Sequence, residues 1–94
     1  MAILRFDQYE SAPTSNNPVP ILIRSDNLTI PAISNAFDDK CAYIEVSADA
    51  DCYVEEGETP AAASDSEKSQ LLFAGTYRPI HVTDRGNKIG VVAK

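Results

Sequence analysis

The chain has few of the residues that carry catalysis or hold metals. It has no tryptophan, one histidine and two cysteines among 94 residues. Its four glycines stand apart, so no glycine-rich loop of the kind that cradles a phosphate is present. A catalytic histidine needs a nucleophile and an orienting acid, and no such motif surrounds His81. We therefore expect a protein that is not an enzyme and uses no cofactor or metal.

Basic charge is also scarce. The chain has 8 Lys and Arg against 14 Asp and Glu, a formal net charge of −6. The basic residues are scattered singly, whereas a nucleic-acid-binding surface clusters them to displace counterions from phosphates. The same shortage of basic residues disfavours binding to an anionic membrane surface. The sequence predicts neither a nucleic-acid partner nor a membrane partner.

Long apolar runs are absent as well. None approaches the ~20 residues of a transmembrane helix. The first residues carry a charge at Arg5 and no apolar core of a signal peptide. We expect the chain to remain in the cytoplasm until it enters an assembly.

Two cysteines are too few for a disulfide scaffold of this size. A turn near Asp49-Ala50 would place Cys52 opposite about Ser47, which leaves Cys41 beyond bridging distance. Both thiols are expected to be free, reduced and partly buried.

Acidic residues concentrate in the middle of the chain, where ten of the fourteen lie within residues 38–67. Asp49 and Asp51 suggest a calcium loop at first glance. Tyr53 and Val54, however, occupy the places where an EF-hand has its third ligand and its glycine. We interpret these carboxylates as turn acids on a solvated surface.

Period-two alternation in short runs is the dominant pattern. It predicts one hairpin from residues 41–48 and 51–55, and a second from 76–83 and 88–93 around the turn Asp84–Asn87. Pro79 cannot donate to a ladder, so its strand should have a free edge or a bulge.

The remaining segments are less regular. Residues 3–9 are compatible with a strand, and 21–24 and 28–30 with two short strands around a turn at 25–27. Ser34 is a candidate cap for one turn of helix over 34–38. Residues 60–71 fit either a helix or a polar loop, and the loop is favoured because no apolar stripe has helical spacing.

These patterns predict an all-β fold, a small single-domain antiparallel β-sandwich or barrel with an extended N-terminal arm. The single domain covers residues 1–94, with the arm and first strand in 1–20 and the sandwich core in 21–94. The prolines of residues 11–20 predict an extended arm, and aromatic residues precede it. The candidate partner interface is formed by Leu4, Phe6, Tyr9, Pro13, Pro18 and Pro20.

Four runs, at residues 43–54, 57–62, 72–76 and 86–92, carry a resemblance to a known group. Their order is strand, acidic turn, strand, Gly-x-x-Pro, Leu-x-Ala-Gly-Thr and Gly-x-Lys-Ile-x-Val. It resembles small structural proteins of tailed bacteriophages, the head decoration or cement proteins, over about Ser34 to Val92. The resemblance implies a β-sandwich or barrel on the exterior of the virion capsid. Its partner would be the major capsid protein, often bound by a trimer, and no catalytic residue is transferred.

Three other functions remain open from sequence. A neck or tail component of the same particle would differ in copy number. A β-sandwich that recognises a host-surface sugar or protein would expose aromatic residues in one concave patch. A small hydrolase would need His81 beside a carboxylate and a nucleophile.

Overall fold

The fold is known from a computed structural model that describes residues 2–11, 15–16, 21–62 and 69–94. No helix occurs within those ranges. The strands are β1 (Ile3–Tyr9), β2 (Leu22–Thr29), β3 (Ala32–Ile33), β4 (Tyr43–Ala48), β5 (Cys52–Gly57), β6 (Gln70–Leu72), β7 (Tyr77–His81) and β8 (Lys88–Ala93).

The strands form two antiparallel sheets that face each other as a sandwich. Sheet 1 has the order β2-β1-β4-β7, and sheet 2 has the order β3-β8-β5-β6. The predicted all-β antiparallel fold is therefore confirmed. β1 lies between β2 and β4, so the first strand of the chain is a central part of sheet 1.

The core lies between the sheets and is built by the period-two pattern. One face of each strand is apolar, and burying it against the other sheet is the main favourable term in folding. Sheet 1 contributes fully buried side chains from β1 and β4, and sheet 2 contributes them from β5, β6 and β8. The largest of these are Leu4, Ile44, Leu72, Ile89, Val46, Val54, Val91 and Cys52.

The prediction that β4 and β5 form a hairpin is wrong, because the chain changes sheets between them. Asp49 still bonds to β1, through its N–H to the Ile3 carbonyl at 3.2 Å. Asp51 already lies beside sheet 2, because its carbonyl accepts the N–H of Lys94, the residue after β8, at 3.2 Å. Both strands have an apolar face, and the two faces become buried by lying across the sandwich from one another.

The second predicted hairpin is wrong for the same reason. β7 pairs with β4 in sheet 1, whereas β8 pairs with β5 in sheet 2. The turn itself is confirmed: the Asn87 N–H reaches the Asp84 carbonyl at 3.4 Å, and Gly86 has a φ of 80°. That positive φ favours glycine at this position. Pro79 lies in β7, an edge strand of sheet 1, as its missing N–H predicted.

Two local predictions in the first half of the chain are also wrong. Residues 25–27 are the middle of one continuous β2 and not a turn, since β1 pairs with them residue by residue. The ladder overrides the turn preference of Ser-Asp-Asn. Residues 34–38 form no helical turn, because their N–H groups bond to β8 and its preceding turn, from Ser34 to Ile89 and from Phe37 to Asn87.

Several predictions fall wholly or partly outside the described residues. The arm prolines Pro13, Pro18 and Pro20 lie there, as does most of the favoured loop, residues 63–68. Cys41 and Cys52 are described. Both are free, as predicted, and both are buried where partial burial was expected.

Candidate binding face

The outer face of sheet 1 brings together side chains from four strands. Neighbours opposite each other in an antiparallel ladder point to the same side of the sheet. The register therefore arranges outward side chains in rows that cross the strands. The polar row is Asn27, Arg5, Ser47 and Tyr77; the acidic row is Ser25, Asp7, Glu45 and Pro79; the aromatic row is Leu22, Tyr9, Tyr43 and His81.

The aromatic row is closely packed. The Tyr9 and Tyr43 ring centroids are 5.6 Å apart, and the Tyr43 and His81 centroids are 5.9 Å apart. Tyr43 is only 6% exposed although it lies on the outside of the sheet. Burial raises the pKa of both tyrosines, and the negative charge of Glu45 adds to the shift. The row acts as a small second hydrophobic cluster on the back of sheet 1.

The acidic row places two carboxylates on adjacent strands. Asp7 lies directly opposite Glu45, and like charges in such a pair are destabilising. The Arg5 Nε donates to Asp7 Oδ1 at 3.1 Å, which offsets part of that repulsion. The Tyr43 hydroxyl is 3.5 Å from Glu45 Oε2. The centre of the face is therefore negatively charged, with a guanidinium at its border.

The polar row lines an open depression of about 690 Å³ at one end of the face. Tyr77 is 67% exposed beside it, and Ile3 is 39% exposed. The structure gives no hydrogen bond to the side chains of Asn27, Ser47 or Tyr77 from any residue that it describes. Their polar groups are available to a ligand.

The wall of the depression is fixed by the turns at residues 48–51 and 73–76. The Ile3 N–H donates to Asp49 Oδ1 at 2.8 Å, and the Ala74 N–H donates to Asp51 Oδ1 at 2.8 Å. The Gly75 N–H also reaches the Ala48 carbonyl at 2.9 Å. Both aspartates thus tie backbone groups of distant strands, in agreement with their interpretation as turn acids.

The opposite side of the sandwich has an apolar groove of about 320 Å³. It runs between the edge strand β3, where Ile33 is 60% exposed, and the segment from Pro60 to Ala62. The buried Glu55 carboxylate holds that segment by accepting the Ala61 N–H at 2.7 Å. Among the residues that the structure describes, none that lines this groove is charged.

The six residues of the candidate interface do not form one surface in the described part of the chain. Leu4 and Phe6 are 0% and 2% exposed, because they are inward residues of a central strand. Their side chains pack inside the subunit and are absent from its surface. Tyr9 is half-buried in the aromatic row, and Pro13, Pro18 and Pro20 lie outside the described residues.

The one histidine and the two cysteines of the chain are the candidates for metal binding and for nucleophilic chemistry. No group of three or more His, Cys, Asp or Glu side chains there is placed to hold a metal ion. Burial raises the pKa of the Cys41 and Cys52 thiols, which disfavours their reactive thiolate form. His81 contacts Tyr43 across the ladder and borders an open depression with Glu56 and Thr83.

The alternation of residue types over 76–83 predicts that Tyr77 and His81 share one face of a strand, but it does not single out Tyr77. The alternation in residues 76–83 was the available signal. The alternation does not show which residues lie beside Tyr77, because Ser47, Arg5 and Asn27 come from three other strands.

Comparison with protein-family models, with curated proteins and with solved structures found no match. The described residues contain no helix long and apolar enough to cross a membrane.

Proposed function

We propose that this chain is a non-enzymatic structural protein of a bacteriophage virion that binds the outer surface of the capsid shell and stabilises it. The observation that carries the proposal is the number of large apolar side chains left on the surface of so small a domain. Contact with a partner would bury these side chains, which is favourable by about 25 cal/mol for each Å² of apolar surface removed from water. These side chains are Ile3, Ile21, Leu22, Ile33, Phe73 and Tyr77.

The described buried polar side chains serve the fold of the chain itself. The Gln8 Oε1 accepts the Asp38 N–H, and the Ser34 Oγ accepts the Ile89 N–H. The Asn87 amide donates to Glu56 and to Thr83. Within the described residues, no buried side-chain polar atom lacks a partner. Each of these groups holds the two sheets or their turns together.

Size and charge are consistent with attachment to a larger body. A domain of 94 residues buries a smaller fraction of its surface than a larger one, so contact with a shell would add stability by mass action. The net charge of −6 favours solubility of free subunits before assembly. The resemblance to decoration proteins adds the expected partner, the major capsid protein, and a trimeric assembly.

The test compares capsid shells prepared without the chain and the same shells after it is added back. We expect the chain to co-sediment with the shells, to raise the temperature at which they open, and to behave as a trimer in sedimentation velocity. Shells that open at the same temperature with bound chain would remove the stabilising role.

A variant with Pro13, Pro18 and Pro20 replaced by alanine examines the arm. Prolines reduce the freedom of the unbound segment, each by about 0.4–1 kcal/mol where the conformation fits. For three prolines we expect shell binding to weaken by about 8- to 150-fold, with little change in the melting temperature of the free chain. Unchanged binding would show that the arm does not contact the shell.

A further inference from the structure

We infer that the depression on the outer face of sheet 1 binds a neutral saccharide, with Tyr77 as the stacking surface and Asn27, Ser47 and Arg5 as hydrogen-bonding partners. This inference develops the recognition alternative and goes beyond the proposed capsid role.

The register places the four residues in one line. Tyr77 lies opposite Ser47, Ser47 opposite Arg5, and Arg5 opposite Asn27. Adjacent strands are ~4.8 Å apart, so the row extends over about 14 Å. A ring-shaped ligand lying along the row would meet an aromatic side chain at one end and polar groups along the rest.

The chemistry of the lining matches a sugar ring. One face of a pyranose presents C–H groups, which pack on an aromatic ring, and its edge presents hydroxyls that both donate and accept. The Tyr77 ring is 67% exposed. The Asn27 amide and the Ser47 hydroxyl each offer a donor and an acceptor. Arg5 offers further N–H groups beyond those bound to Asp7 and Ser25.

The site is held in place before any ligand arrives. Arg5 is oriented by Asp7 at 3.1 Å and by Ser25 at 3.3 Å. The wall is oriented by the bonds from Ile3 to Asp49 and from Gly75 to Ala48. A site on paired strands with a tied wall loses little entropy on binding. The depression of about 690 Å³ is open, so a ligand would lie on the sheet rather than inside a closed pocket.

Charge decides which ligand class fits. Asp7 and Glu45 form the adjoining row, and Asp49 lies in the wall. Arg5 also lines the depression, but its charge is offset by the ion pair with Asp7. The remaining carboxylates and the chain's net charge of −6 repel a phosphate, a nucleic acid or an acidic sugar. A purely apolar ligand would leave the polar row without partners. A neutral saccharide avoids both the charge repulsion and the loss of hydrogen-bond partners.

The test begins with the full chain on an array of neutral and anionic oligosaccharides. The best neutral binder is then titrated into isotope-labelled protein while the backbone amide signals are followed by NMR. We expect neutral saccharides to be preferred and the largest shifts at Asn27, Ser47 and Tyr77. If no neutral saccharide binds, or if anionic ones are preferred, the inference is wrong.

Single-residue variants distinguish binding at this site from nonspecific binding to the protein surface. Tyr77→Ala should weaken binding about tenfold, the upper range for an aromatic contact, and Asn27→Ala about fivefold, as for one hydrogen bond. Tyr77→Phe should retain most of the affinity. Phe73→Ala is the control, because Phe73 is an exposed ring outside the depression. Loss of binding in Phe73→Ala but not in Tyr77→Ala would overturn the assignment.

A lysine-rich peptide serves as the competing ligand, since the acidic row would attract it. Shifts of the same amides by that peptide, without shifts from neutral sugars, would make the face a protein contact and contradict the inference. Shell binding is measured separately with Asn27→Ala, because Asn27 lines the depression but is not one of the exposed apolar side chains on which the capsid proposal rests. A variant that loses the sugar and keeps the shell separates the two functions.

Discussion

Asp49 and Ile3 are joined across 46 residues of sequence by two hydrogen bonds. The Ile3 N–H donates to Asp49 Oδ1 at 2.8 Å, and the Asp49 N–H donates to the Ile3 carbonyl at 3.2 Å. This reciprocal contact fixes the point where the chain leaves sheet 1 for sheet 2. It also forms one wall of the proposed sugar site, so fold and binding depend on it together.

Replacing the Asp49 side chain should therefore destabilise the domain. Asp49→Ala removes the acceptor of the Ile3 N–H, and we expect a loss of about 1 kcal/mol in the free energy of unfolding. Urea denaturation followed by circular dichroism measures it. Asp39→Ala is the matched control, an exposed turn acid whose removal should change stability by less than about 0.5 kcal/mol. Equal effects of the two changes would contradict the role of Asp49.

Arg78 bridges the two sheets where their edge strands β7 and β6 meet. Its Nη1 donates to the Gln70 side chain at 2.8 Å, and its Nη2 donates to the Leu71 carbonyl at 3.4 Å. The side chain is exposed, so Arg78→Ala should cost about 0.5–1 kcal/mol. Amide hydrogen exchange should speed up mainly in β6 and β7. Faster exchange in β1 and β8 alone would contradict this assignment.

Gly90 lies under Pro60 on the outer side of sheet 2. A Cβ at position 90 would come within 3.1 Å of Pro60 Cβ and 3.3 Å of Pro60 Cγ. Gly90→Ala should therefore displace the Pro60–Ala62 segment and cost about 1–2 kcal/mol. Pro60→Gly in the same chain removes the clashing ring. The double variant should be less destabilised than the sum of the two single changes, and simple additivity would argue against the clash.

Alkaline conditions should weaken the fold. Burial raises the pKa of Cys41 and Cys52 from the ordinary value of 9.0. Above pH 9 the unfolded chain loses these thiol protons before the folded chain does, so stability falls as pH rises. The pKa values of Tyr9 and Tyr43 are raised in the same direction. We expect the urea midpoint to be lower at pH 10 than at pH 8.

A chain with Cys41→Ala and Cys52→Ala tests the cause of that decline. Without the buried thiols, the fall in midpoint between pH 8 and pH 10 should be smaller, although the absolute stability is reduced by the lost side-chain volume. A midpoint that rises with pH in the unchanged protein would contradict the direction of the shifts.

The positions of strands could be predicted where apolar and polar residues alternate regularly and where a proline or a glycine marks an edge strand or a turn. Residues 43–48 alternate cleanly, which predicts that Ile44 and Val46 share the apolar face of the strand, and both are buried. Pro79 indicated an edge strand because it lacks an N–H, and Gly86 marked its turn because it takes a positive φ. These are local properties of single residues, which a sequence displays directly.

The sheet to which each strand belongs was not predictable in the same way. β4 and β5 are separated by so few residues that a hairpin was the natural expectation, yet their apolar faces pack across the sandwich. The Tyr77 row depends on that global choice, since its neighbours are set by the order β2-β1-β4-β7. A binding surface assembled from four strands leaves no continuous motif in the sequence.

The central claim is attachment to the outside of a capsid, and electron cryo-microscopy of assembled virions tests it most directly. The account predicts density for this β-sandwich at many repeated positions on the outer shell, seated on the major capsid protein. Density confined to a single ring at the neck or tail, or absent from the particle, would contradict it.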